Sequence, residues 1–91
     1  SRMRGLLGRT ELLPGQGLLI TRCNSIHMFF MRFPIDAIFL NRSYQVVGLV
    51  SRIPPFALSA IFWSSTQVIE LPAGTIDRIS VRVGDQIQLT H

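Results

Sequence analysis

The sequence predicts a small α+β domain that is predominantly β, an antiparallel β-barrel or curled sheet of five to seven strands with one or two short helices. Two observations support this fold class. A chain of 91 residues buries only ~60–65% of its unfolded surface, which leaves no room for a second core, so we expect residues 1–91 to form one domain. Its apolar runs are short, rich in β-branched residues and bounded by Gly, Pro and Asn, which is typical of strands.

The first third of the chain contains one weak helical signal and two extended segments. Residues 4–9 can form a helical turn, although Gly5 and Gly8 disfavour it. A turn at residues 14–17 leads into an apolar strand at residues 17–23. Residues 27–32 form the second extended segment, which is apolar on both faces and therefore predicted to be covered on both sides.

The remaining elements alternate between strands and turns. A turn at residues 41–43 joins extended residues 36–40 to a return strand at residues 44–52. Residues 67–71 form a further strand, and the alternation in residues 86–91 predicts a half-exposed one.

One short helix and one long loop complete the prediction. Thr75 is the expected N-cap of the helix, with Ile76 and Ile79 packing inward. Residues 53–65 form an apolar loop with two prolines and three aromatic side chains. Loops of this length are often functional, so we expect this one to cover a pocket.

Charge and composition exclude several classes of protein. The formal net charge is +4 and all nine cationic side chains are arginines, but Arg22, Arg32, Arg42 and Arg52 are spread along the chain. Nucleic-acid binding requires cations that converge on one track, so no nucleic-acid partner is expected. The longest nearly uncharged run, residues 53–69, is interrupted by prolines and polar residues and predicts no transmembrane segment.

The sequence leaves the compartment open. Ser1 can be a mature N-terminus left by cleavage or a remnant of cloning, and export to the periplasm or the extracellular space is the expectation if a signal peptide precedes it. Cys23 is the only cysteine, so no internal disulfide holds the domain together.

The stretch CNSIHMFFMRFPID, residues 23–36, contains the densest set of reactive side chains. Cys23, His27, Met28 and Met31 are ligands of the type that binds Cu(I). On a regular strand, however, Met28 points away from His27 and Met31, and methionine among phenylalanines is typical of core packing. We therefore predict core packing here, with no metal site and no cofactor.

A thiol mechanism is a second reading of the same stretch. Cys23 could be a nucleophile, with His27 as its base and Asp36 orienting the imidazole. Catalysis requires hydrogen-bond contact between nucleophile and base, and a single cysteine among apolar neighbours is usually buried and inert. We expect no such mechanism.

Three charged residues interrupt apolar strands, where an ionised side chain is costly unless it is paired or exposed. Arg32, Asp36 and Glu70 are these residues. Each has a structural explanation: Asp36 can cap the turn after Pro34, Arg32 can pair with Asp36, and Glu70 can be exposed. Charged groups beside a long aromatic loop are also how ligand pockets are commonly lined.

Three blocks of sequence resemble one protein family. RGLLGRTELLPGQGLLI, CNSIHMFFMRFPIDAIFLN and VIELPAGTIDRISVRVGDQIQL occur in the order and spacing of the DUF192 family, also called UPF0127. The resemblance implies a compact β-rich domain of bacteria and archaea without an established activity, often found behind a signal peptide. The matching family elements are Phe30-Met31-Arg32, Asp36 and the segment from Glu70 to Gly74.

The chain departs from the family pattern in three places. Phe33-Pro34 stands where many members have Asn-Thr, and Met28 stands where threonine is common. Pro54-Pro55-Phe56 replaces a segment resembling Pro-Trp-Arg. The first two departures weaken a copper site further, and the third removes an arginine from the long loop.

We interpret the chain as a non-catalytic ligand-binding or accessory domain. The candidate binding residues are His27, Arg32, Asp36 and Glu70, under the loop at residues 53–65. The alternative is a small hydrolase-like enzyme that uses His27 with Asp36 or Glu70 as acid and base. The expected partner is a small molecule or a protein, and the expected state is a monomer or weak oligomer.

Overall fold

The computed structural model describes residues 17–28 and 32–88 of the chain. Four strands and one helix are found in this part: β1 (Leu18–Thr21), β2 (Ile35–Leu40), β3 (Val46–Ile53), β4 (Gln67–Pro72) and α1 (Thr75–Ile79). The helical turn predicted at residues 4–9 lies outside the described residues, as do residues 14–16, 29–31 and 89–91 of other predicted elements.

The four strands form one antiparallel sheet in the order β1-β4-β2-β3. Within the described residues β1 and β3 are the two edges and do not pair with each other, so the sheet is open. The mostly β class is confirmed. Of the two predicted forms, barrel or curled sheet, the barrel is wrong because the sheet is not closed, and five to seven strands are not confirmed. Closure into a barrel requires hydrogen bonds between the two edge strands, and in the described part of the chain β1 and β3 do not pair.

The centre of the sheet follows directly from the sequence of β2. All six of its residues are buried because β2 lies between two strands and has both faces covered. The turn into β3 is an Asn turn, in which Asn41 Oδ1 accepts hydrogen bonds from the N–H groups of Ser43 and Gln45. The predicted turn at residues 41–43 and both flanking strands are therefore confirmed.

The two faces of the sheet carry separate apolar clusters. We call the side with Ala37, Phe39 and Val68 the cover face and the side with Ile38, Leu40 and Ile76 the helix face. The register assigns further residues to these faces, because directly paired residues share a face. Glu70 pairs with Ala37 on the cover face, and Asp36 pairs with Leu71 on the helix face.

Two irregular segments lie over the cover face, and we call residues 22–28 and 54–66 together the cover layer. Their backbones pair with each other: Met28 N–H donates to Ala57 O (2.9 Å), Ser59 N–H to Ile26 O (2.9 Å) and Phe62 N–H to Asn24 O (2.8 Å). The predicted strand at residues 27–32 appears, in its described part, only as an isolated bridge between His27 and Leu58.

The cover layer is anchored to the sheet by an aromatic contact. The ring of Phe62 packs on that of Phe39 with a centroid distance of 4.3 Å. It also fills the space above Gly48, where any Cβ would overlap the Phe62 ring. A glycine in a strand interior commonly marks such a close approach.

On the helix face, α1 begins at Thr75 and its N-cap is Gly74 (φ 94°) rather than the predicted Thr75. Ile76 is buried as predicted, but Ile79 is 49% exposed because the helix ends there after five residues. The strand predicted at residues 86–91 is represented in its described part only by a bridge between Gln86 and Gln45. No helix among the described residues is long and apolar enough to cross a membrane.

Candidate functional site

Asp36 lies at a β-bulge between β2 and β3. One extra residue of β3 fits between the pairs Ile35–Ile53 and Ala37–Val50, and Arg52 adopts a left-handed φ of 53° there. The fully buried carboxylate accepts the N–H of Arg52 at Oδ1 (2.9 Å) and the N–H of Ile76 at Oδ2 (2.8 Å). Both of its oxygens therefore join the bulge to the start of α1, which assigns Asp36 a structural role.

Glu70 is also buried, but its environment differs from that of Asp36 in its hydrogen bonds. It lies in the middle of β4, paired with Leu18 of β1 on one side and Ala37 of β2 on the other. Its side chain is 1% exposed, and within the described part of the chain Oε1 has no hydrogen-bond partner. Burial disfavours the charged form and raises the pKa of Glu70 to about 7.

Cys23 and Met28 belong to the cover layer and pack against the same apolar cluster as Ala37. The Cys23 thiol donates a hydrogen bond to the carbonyl of Ser25 (2.8 Å). Burial raises the pKa of the thiol, and the charge of Glu70 acts in the same direction. A thiol with a raised pKa is poorly nucleophilic near neutral pH. Met28 is fully buried in the core, whereas Cys23 is only partly buried against it.

His27 and Arg32 are exposed. Because His27 is exposed while the adjacent Met28 is fully buried, the two side chains leave the cover layer in opposite directions. The soft ligands considered for Cu(I) therefore diverge at this point. In residues 17–28 and 32–88, no group of three or more His, Cys, Asp or Glu side chains could hold a metal ion.

The structure does not bring the four predicted site residues together. Asp36 and Glu70 lie on opposite faces of the sheet, and the backbone of the sheet separates them. His27 and Arg32 lie at the surface. Glu70 is the predicted residue whose environment demands a partner, since a buried carboxyl oxygen without a hydrogen bond is costly.

Sequence reasoning missed the neighbourhood of Glu70. The sequence predicts packing for Cys23 and Met28 but does not place them beside this carboxyl. The signal that could have shown it is the strand register, because the pairing of Ala37 with Glu70 places Glu70 in the apolar cluster that includes both side chains. Register between strands so far apart in sequence is a tertiary property that the local pattern does not contain.

Comparison with known proteins identifies sequence and structural relatives. The model of the DUF192 family, described as "Uncharacterized ACR, COG1430", matches residues 1–89. A UPF0127 protein of Thermococcus sibiricus is 44% identical over 68 residues, which are 74% of this chain and 44% of that protein. The chain thus spans less than half the length of this relative.

Two solved structures have the same fold. A protein of unknown function from Novosphingobium aromaticivorans superimposes with a TM-score of 0.83 at 23% identity, covering 94% of this chain and 66% of the other. A protein from Sinorhizobium meliloti, described as a proposed transcription regulator, superimposes with a TM-score of 0.76 at 27% identity, covering 91% of this chain and 69% of the other.

Proposed function

The chain belongs to the uncharacterised DUF192 family, and from this premise we propose that it is a non-catalytic ligand-binding domain in which Glu70 is the ligand-binding group. The observation that supports the proposal is the buried Oε1 atom of Glu70, which lacks a hydrogen-bond partner among the described residues. Asp36 is left out because both of its oxygens already accept backbone hydrogen bonds. His27 and Arg32 are left out because they are exposed.

The chemistry of the site selects the class of ligand. An ionised carboxylate in an apolar environment is stabilised by a positive charge or by a strong hydrogen-bond donor. The neighbours of Glu70 on the cover face are apolar, with Leu18 and Ala37 in register on either side. A small amine or amidine with a short apolar body satisfies both features. It would stabilise Glu70 most above pH 7, where this carboxyl is ionised.

Thermal unfolding at pH 8 in the presence of methylamine, butylamine and acetamidine tests this proposal. We expect a saturable rise in Tm for the wild type, because a ligand that binds only the folded state stabilises it. The variant Glu70→Gln should lose this rise. Asp77→Asn, which removes an exposed carboxylate, should keep it. If no probe raises the Tm of the wild type, or if Glu70→Gln responds equally, the proposal fails.

A small enzyme is the second candidate, and the pKa of Glu70 is the observation in its favour. A carboxyl group with a pKa of about 7 is suited to transfer protons near neutral pH. The predicted pairing of His27 with Asp36 receives no support, because Asp36 is engaged by two backbone amides. Hydrolysis of p-nitrophenyl acetate with a midpoint near pH 7, lost in Glu70→Gln, would favour the enzyme over the binding domain.

We also propose that residues 1–91 act as one domain of prokaryotic origin. The two apolar clusters that pack on opposite faces of one sheet support the first part. The UPF0127 relative from Thermococcus sibiricus supports the second. Export remains a prediction.

A further inference from the structure

The outer side of the cover layer presents large apolar side chains to solvent. Phe56 is 71% exposed, Leu58 68%, Ile61 49% and Trp63 81%. We call these four residues the apolar ridge. Single exposed apolar side chains are ordinary, but a group of them on one segment marks an interaction surface. No charged residue interrupts the chain between positions 53 and 69.

Two β-turns hold the aromatic residues of the ridge in place. Phe56 is a central residue of the turn closed by Ala57 N–H and Pro54 O (3.2 Å), and Trp63 is a central residue of the turn closed by Ser65 N–H and Phe62 O (2.8 Å). Phe56 has a left-handed φ of 66°, which is unfavourable for a bulky side chain. The fold thus maintains a strained backbone at a position where the aromatic ring is largely exposed.

Among the described residues, the charged side chains that flank the first cover segment in sequence are arginines. Arg22 is exposed at the start of the first cover segment, and Arg32 is exposed shortly after its end. In the described part of the chain, the exposed carboxylates are Asp77 and Asp85, which belong to α1 and the turn after it. The cover layer therefore combines apolar side chains with Arg22 and has no exposed carboxylate, and the exposed Arg32 follows its first segment, a combination that complements an anionic surface.

We propose that the apolar ridge docks the protein on the surface of an anionic lipid bilayer. Tryptophan and phenylalanine are suited to the boundary between headgroups and acyl chains, and arginines add attraction to anionic lipids. The N–H groups of Phe56, Ser59 and Phe62 already donate to residues 24–28, so insertion of the ridge leaves these three groups satisfied. A lipid surface fits better than a protein partner because the two aromatic side chains of the ridge, Phe56 and Trp63, are exposed at turns and a fluid bilayer requires no matching groove.

The proposal can be tested with the intact chain, because Trp63 is its only tryptophan. Tryptophan fluorescence is recorded with vesicles of phosphatidylcholine alone and of phosphatidylcholine mixed with phosphatidylglycerol. We expect a blue shift and reduced quenching by acrylamide with the mixed vesicles only, and reversal of both by salt. The absence of a shift with mixed vesicles would overturn the proposal, as would an equal shift with both types of vesicle.

Two variants test whether the apolar ridge is the surface that contacts the lipid. The double variant Phe56→Ser/Leu58→Ser keeps Trp63 as the reporter and should partition roughly tenfold more weakly into mixed vesicles, because two apolar side chains no longer transfer into the interface. Val83→Ser removes an apolar side chain that is 62% exposed outside the ridge, and it should bind as the wild type does. Circular dichroism checks that both variants are folded.

Three results would overturn the proposal. The first is an equal loss of binding in Val83→Ser, which would show that the ridge is not the contact. The second is a blue shift of Trp63 that appears without lipid and depends on protein concentration, which would assign the ridge to contact between copies of the chain. Co-sedimentation of Trp63→Ser with mixed vesicles, at wild-type strength, would likewise contradict the proposal.

Discussion

Two buried carboxyl groups one register step apart show how the environment of a residue decides its role. Asp36 and Glu70 lie on neighbouring strands and are 0% and 1% exposed. Asp36 accepts two backbone hydrogen bonds, whereas Oε1 of Glu70 accepts none from the described residues. Buried polar groups are tolerated when they are satisfied and costly when they are not. We therefore expect opposite effects when each carboxylate is removed.

Asp36→Ala should lower the free energy of unfolding by about 3 kcal/mol, because two backbone N–H groups lose their shared charged acceptor. Urea denaturation at pH 7 measures this change. Asp85→Asn is the matched control, since Asp85 also accepts a backbone N–H, from Arg82, but at an exposed site. The control should change stability by less than about 1 kcal/mol. Equal effects of the two substitutions would contradict a structural role for Asp36.

Glu70 should make the stability of the protein depend on pH. Its pKa is about 7 in the folded state and 4.5 in the unfolded state, so the folded state binds more protons between these values. The free energy of unfolding therefore falls as the pH rises through this window, by about 3 kcal/mol, and the Glu70 contribution is constant above it. Urea denaturation of the wild type and Glu70→Gln at several pH values isolates the Glu70 contribution.

The prediction about Glu70 concerns the difference in the free energy of unfolding between the wild type and Glu70→Gln. Glu70→Gln should be no more stable than the wild type at pH 4.5 and more stable at pH 8. Asp77→Asn controls for the loss of one negative charge at an exposed site. A difference between wild type and Glu70→Gln that stays constant with pH would show that burial does not perturb this carboxyl.

At the scale of elements, local sequence patterns predicted features that depend on neighbouring residues and did not predict contacts between distant parts of the chain. The turn at residues 41–43 was predictable because Asn41 makes its hydrogen bonds within four residues. The alternation at residues 86–91 indicated which side chains share a face but not whether a partner strand exists. In its described part that segment forms only one bridge, to Gln45. The partners of Asp36, at Arg52 and Ile76, are equally invisible to local patterns.

The contact between β3 and the cover layer leaves no room for a side chain at Gly48. Gly48→Ala should destabilise the protein by about 2 kcal/mol, because the new methyl group overlaps the Phe62 ring and forces it away from Phe39. Phe62→Leu provides the matched background in a double-mutant cycle followed by urea denaturation. The penalty of Gly48→Ala should shrink in that background. Strictly additive effects would show that Phe62 does not occupy the space above Gly48.

At the scale of the whole molecule, one sheet separates two environments. The helix face is closed by α1, which is joined to the bulge of β3 through Asp36. The cover face carries Glu70 and lies beneath segments that pair irregularly with each other. The sequence indicated the buried strands but could not place Asp36 and Glu70 on opposite sides, because that depends on the pairing of β2 with β4. Asp36 and Glu70 therefore face different layers of the molecule.

This arrangement predicts that the cover layer opens more easily than the sheet. Its amides at Met28, Ser59 and Phe62 are bonded only to the other cover segment, whereas β2 and β4 are central strands with partners on both sides. Native-state hydrogen exchange followed by NMR should show these three amides exchanging at least ~10-fold faster than the bonded amides of β2 and β4. Equal protection would mean that the cover layer and the sheet unfold together.

The same measurement connects the opening of the cover layer to Glu70. If opening hydrates this carboxyl, its ionisation above pH 7 favours the open state. Exchange of the Met28, Ser59 and Phe62 amides at pH 8 should then be slower in Glu70→Gln than in the wild type, while Asp77→Asn leaves it unchanged. If Glu70→Gln stabilises the whole molecule but leaves these three amides unaffected, Glu70 stays buried when the cover layer opens. In that case the opening of the cover layer would not give a ligand access to Glu70. A site that becomes accessible only on global unfolding could not bind a ligand in the folded protein.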